Sequence, residues 1–158
     1  MELRHVRIGV IIGSLVALVV VGCATGQSTM KAADAIAARQ TLMKEQGAAM
    51  KSISDKAKAG QFQAIGPDAQ KLVETSKQIP SLFPEGSLDP ATSRAKPEIW
   101  QKWPEFTGNA KTLESKATQL AATSRTGTAD ATNAAIADLS KTTCGACHTA
   151  FRGPEIKK

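Results

Sequence analysis

The chain has 158 residues, with 20 Lys and Arg against 14 Asp and Glu, a formal charge of +6, and only 4% aromatic residues. That length suits one compact domain. The basic residues are dispersed and lack aromatic interleaving, which excludes a nucleic-acid-binding surface.

Residues 1–23 read as an export signal. Arg4 and Arg7 supply a positive start, and Ile8 to Val21 is a largely apolar run of fourteen residues, too short for a comfortable membrane span. Two cleavage readings compete. Val20-Val21-Gly22-Cys23 resembles a bacterial lipoprotein box, which would make Cys23 the acylated first residue, and Gly22-Cys23-Ala24 also suits an ordinary signal peptidase. Either way the mature domain is expected beyond the inner membrane, in the periplasm, either lipid-anchored through a short tether at residues 24–29 or free. Loss of residues 1–22 removes two arginines and one glutamate and leaves a formal charge of about +5.

Residues 30–158 are rich in Ala, Lys and Gln, with apolar residues recurring at three and four, so helices are expected throughout. The first runs from about Met30 to Ala59, with Ile36, Met43, Gly47, Met50 and Ile53 on or near one stripe, and Gly60 stops it. The second opens at Gly66-Pro67-Asp68, turns Leu72, Val73, Ser76 and Ile79 inward, and ends before Pro80. Residues 80–96 form a long irregular crossing pinned by Leu82 and Phe83. The third helix begins near Pro97 and carries Ile99, Trp103, Phe106, Ala110, Leu113, Ala117 and Leu120 at helical spacing. Pro104 either kinks it or ends a short separate turn, because an interior proline costs about 3 kcal/mol. Gly127 and Thr128 break and recap the chain, and the fourth helix runs from about Ala129 to Phe151 before Gly153-Pro154. The expected fold is all-α, an antiparallel four-helix bundle that holds a cofactor between its helices.

That cofactor is written near the C-terminus. Cys144-Gly145-Ala146-Cys147-His148 is the attachment signature of a c-type haem. On a helix, two thiols three apart and a histidine one further on share a face, so Cys144 and Cys147 reach the vinyl groups and His148 the iron. A zinc site would need a second ligand pair, and outside the motif the chain offers only Cys23 and His5. A dithiol redox centre would want a strand before the motif rather than an alanine-rich helix. One covalent haem c is therefore expected. Once the leader is removed, His148 is the only histidine, so bis-histidine ligation within one chain is excluded. The sixth position is a methionine, a less usual donor such as lysine, or empty. Met43 lies near the middle of the first helix, although methionine at helical spacing also serves as core filler.

The run Cys144 to Arg152, Cys-x-x-Cys-His-x-x-Phe-Arg, with four helices before it, resembles the cytochrome c′ family of class II c-type cytochromes over essentially the whole mature chain. Arg39-Gln40-Thr41-Leu42-Met43 resembles that family's first-helix segment. Leu42 to Gly47, Leu82-Phe83-Pro84 and Pro97-Glu98-Ile99-Trp100 are most similar to its low-spin members with histidine and methionine on iron. The resemblance implies Met43 on the distal side, Arg152 near the proximal histidine and Arg39 near a haem propionate. Phe151, Trp100 and Phe83 are expected near the pocket as packing. The leading expectation is an electron carrier ligated by His148 and Met43, exchanging electrons with redox partner proteins. The alternative is a five-coordinate gas-binding protein for nitric oxide or carbon monoxide. Enzymatic turnover is not expected, because no distal histidine exists to move protons. A homodimer through the first two helices, common in the resembling family, is marked by no distinctive exposed apolar stripe.

Overall fold

The computed structural model describes residues 30–156, so the leader, Cys23 and the tether lie outside the described residues. The longest helices are α1 (Ala32–Lys58), α2 (Gly66–Gln78) and α4 (Trp103–Thr126). The fourth member of the bundle is α5 (Ala129–Leu139), continued through a π-helical segment (Ser140–Gly145) into α6 (Ala146–Phe151). A short α3 (Glu98–Gln101) precedes α4. Chain order makes neighbours antiparallel: α2 packs on α1 and along α4, and α5 returns along α4. Among the described residues there is no β-strand, only an isolated antiparallel bridge between Ala95 and Arg152.

The boundaries follow the local signals. Gly60 takes φ +72°, open to glycine without a Cβ penalty, and Gln61 N–H returns to the Lys56 carbonyl at 2.9 Å to close α1. Pro67 occupies the first turn of α2, where its missing N–H costs nothing. Asp68 in the same turn accepts from Ser52 at 2.9 Å and Lys56 at 2.6 Å, tying α2 to α1. Pro104 takes the short-turn alternative. The chain breaks at Lys102 (φ −119°, ψ 42°) between α3 and α4, so the proline falls in the first turn of α4. Thr128 caps α5 by accepting from Ala131 N–H at 3.2 Å.

The core joins Leu42 and Ile53 of α1, Leu72 and Val73 of α2, Phe106 to Leu120 of α4, Leu139 of α5 and Phe151 of α6. Leu82 and Phe83 are buried and do pin the crossing. Two expectations are corrected. The buried stripe of α1 runs Ala35, Ile36, Arg39, Leu42, Ala49 and Ile53, with Gly47 exposed and Met43 half-buried. Counting only apolar residues misplaced it, because its middle position is an arginine. Trp103 is not a core residue but exposed, since the break at Lys102 rotates α3 relative to α4. The π segment was also unforeseen.

Candidate haem site

All six residues singled out in the sequence meet at one cavity of about 550 Å³. Cys144, Cys147, His148 and Arg152 line it from the fourth member of the bundle, and Arg39 and Met43 from α1. Its volume lies within the ~300–1,000 Å³ of cofactor sites. Phe106, Ala110 and Leu113 of α4, Ile79 after α2 and Phe83 of the crossing supply apolar wall. Phe106 meets Phe83 edge-on at 4.8 Å and Phe151 at 5.4 Å between centroids, which fixes three rings of that wall. Trp100 does not line it. Its indole Nε1–H donates to the Phe83 carbonyl at 3.0 Å and holds the crossing from behind.

Cys144 and Cys147 are free and half-buried. Burial, reinforced by Cys144, pushes the Cys147 thiol up to about 11. At pH 8 on the order of a thousandth of it is thiolate, the reverse of an activated redox dithiol. Burial, then the Arg152 and Arg94 charges, lower the His148 pKa. The imidazole is thereby kept neutral, with a ring nitrogen lone pair for a metal. Among the described residues no three His, Cys, Asp or Glu side chains converge on a common ion. Two thiols and an imidazole spread along one wall suit a flat macrocycle bonded at its edge and its centre.

Arg39 completes the fit. It is only 3% exposed, yet it pairs with no carboxylate among the described residues. Its guanidinium donates to Ser87 Oγ at 2.9 Å, the Ser87 carbonyl at 2.8 Å and Ser93 Oγ at 2.7 Å, and lies 4.7 Å from the Phe83 ring centroid. Burial lowers its pKa. A buried cation with only neutral partners on a cavity wall favours an occupant that carries negative charge, as haem does through its propionates.

Sequence reasoning missed Arg94. It comes from the irregular crossing, and only the pairing of that segment with the chain end brings it to His148. Gly153 N–H donates to the Arg94 carbonyl at 2.7 Å, Arg94 Nε to the Gly153 carbonyl at 3.0 Å, and Lys96 N–H to the Phe151 carbonyl at 3.1 Å. No local motif marks such a juncture.

A family model for cytochrome c′ matches residues 34–152. A cytochrome c′ of Pararhodospirillum photometricum is 32% identical over 118 residues, covering 72% of this chain and 92% of that protein. The match to the cytochrome c′ of Rhodospirillum rubrum is 32% over 84 residues, covering 53% of this chain and 56% of that protein. The crystal structure of cytochrome c′ from Thermochromatium tepidum superposes with a TM-score of 0.68 at 26% identity, covering 80% of this chain and 99% of that one. A nitric oxide complex of a point mutant of cytochrome c prime from Alcaligenes xylosoxidans shares the fold, with a TM-score of 0.69 at 23% identity over 79% of this chain and 98% of that one. With the attachment motif, the cavity and these likenesses in agreement, the chain belongs to the cytochrome c′ family and binds haem c covalently, with Cys144 and Cys147 present for the two thioethers.

Proposed function

We propose that this cytochrome c′ is a gas-binding protein whose iron, held by His148, leaves its sixth position open to nitric oxide or carbon monoxide. The observation that carries the reading is the makeup of the cavity. Of its lining residues, His148 is the only imidazole, and the walls away from the motif are chiefly apolar, with Met43 the one soft donor among them. When bound, haem supplies an iron whose free axial position takes a neutral diatomic ligand. Met43 lines the cavity from α1 and would crowd that position, and Phe83, Phe106 and Leu113 would limit water there. Arg39 and Arg152 also line the cavity, where Arg39 would meet a propionate and Arg152, whose charge acts on His148, would stand on the proximal side. The nitric oxide complex of the Alcaligenes protein, which shares this fold, supports the same role here. Binding rather than turnover is the proposed role, because no second histidine lies in the cavity to move protons.

A second reading, electron transfer to redox partner proteins with Met43 as sixth ligand, draws support from the same placement of Met43. The comparisons favour the gas-binding reading, since a ligated thioether would close the iron to gas. Cytochromes c′ are generally periplasmic bacterial proteins, and we extend that to this chain, with a lipid at Cys23 as its anchor and a homodimer as its assembly.

Titrating the ferrous holoprotein with carbon monoxide or nitric oxide under visible absorption tests this. The spectrum should shift promptly, and Met43→Ala should speed carbon monoxide association about tenfold or more, the equivalent of ~1.4 kcal/mol of steric barrier. A parent spectrum untouched by gas, with Met43→Ala converting it from low to high spin, would establish the electron-carrier reading instead.

A further inference from the structure

The π-helical segment Ser140–Gly145 sits immediately before and within the attachment motif. Ser140 N–H still pairs four residues back, with the Ile136 carbonyl, but Ala146 N–H reaches five back, to Lys141. One residue is thus accommodated beyond the α-helical count, and each residue turns an α-helix by about 100°. Thr132 and Leu139 mark the inward face of α5. Continued at 3.6 residues per turn, that face would present residues 143, 146 and 150. Thr143 keeps to that face, but beyond it Ala146 is exposed and Ala150 only half-buried, and Cys144, Cys147, His148 and Phe151 line the cavity. Where the ladder changes spacing, two threonine hydroxyls reach back one turn. Thr142 donates to the Asp138 carbonyl at 2.7 Å, and Thr143, 2% exposed, donates to the Leu139 carbonyl at 2.6 Å.

We propose that this π segment is a register-setting device, with Thr143 its positioning residue, that turns the haem-attachment motif onto the cavity while α5 keeps its own packing face. The alternative, a motif in register with α5, would aim Ala146 and Ala150 inward and swing His148 to the opposite side of the helix, about 180° from Leu139. The inference rests on covalent haem attachment and is independent of whether the sixth position binds gas.

The test removes one residue without touching the motif. Deletion of the exposed Lys141 should leave haem covalently attached by mass spectrometry, because both cysteines and the histidine are intact. It should abolish the Soret circular dichroism that arises from the ordered rings of Phe83, Phe106 and Phe151 around the haem. The length-preserving Lys141→Ala should keep the parent signal, which separates loss of a residue from loss of a side chain. Thr143→Val, close in volume and lacking only the hydroxyl, is measured in parallel in case the deletion does not yield holoprotein. It should reduce the Soret dichroism and shift the haem absorption with helix content unchanged. A deletion variant with the parent Soret dichroism, or a Thr143→Val protein matching the parent in both spectra, would overturn the proposal.

Discussion

Arg39→Met should lower the stability of the holoprotein by about 3 kcal/mol, seen as a fall of ~10 °C in the unfolding midpoint. Methionine keeps much of the volume but removes three hydrogen bonds from a charged donor and the stacking on Phe83. Each such bond is worth ~1.5–3 kcal/mol in isolation, so a simple sum would exceed the expected loss. Two effects hold it down. Ser87 Oγ keeps its bond to the Pro84 carbonyl at 2.8 Å and Ser93 Oγ accepts from Ala95 N–H at 3.2 Å, so neither hydroxyl is orphaned. Removing a buried charge also relieves its desolvation cost. Arg39→Lys should fall between, because a point charge cannot reproduce the fork that grips both serines. A change below about 1 kcal/mol for Arg39→Met would mean that the crossing does not depend on this clamp.

Phe106→Ala should cost ~3–5 kcal/mol in denaturant unfolding, the range for truncating a buried ring that its neighbours cannot replace. The ring is 3% exposed and touches Phe83, Phe151 and Trp103, joining the crossing, α4 and α6. Its loss removes two edge-to-face contacts as well as apolar burial. Collapse is hindered because the space beside it is reserved for haem. Phe62→Ala, at a half-buried ring in the 3₁₀ turn before α2, should cost less than half as much. Equal effects at the two positions would remove Phe106 from its place as the central ring of the site wall.

Much of this architecture is legible in the sequence because its signals are local. Gly60, Pro67, Pro104 and Thr128 each act on their own turn, and the motif at Cys144 to His148 carries its chemistry in five residues. What escaped is non-local. Resemblance alone marks Arg39 as a haem neighbour, while its burial under Ser87 and Ser93, about fifty residues on, shows only when the crossing folds over it. Arg94 reaches His148 only through pairing of the crossing with the chain end. The π segment follows from a competition between two packing faces, one set by Leu139 and one by the haem motif, and no periodicity count resolves that competition in advance. Met43 was picked out by chemistry and resemblance rather than by burial, since the true inward stripe of α1 passes through Leu42 and Arg39.

The spin state of the ferric, ligand-free holoprotein tests the central claim most directly, because it reports whether Met43 occupies the iron or only borders it. Electron paramagnetic resonance should show a high-spin signal, as expected of an iron held by His148 alone with its distal position open. A purely low-spin signal that turns high-spin in Met43→Ala would contradict the gas-binding account and make this cytochrome c′ an electron carrier.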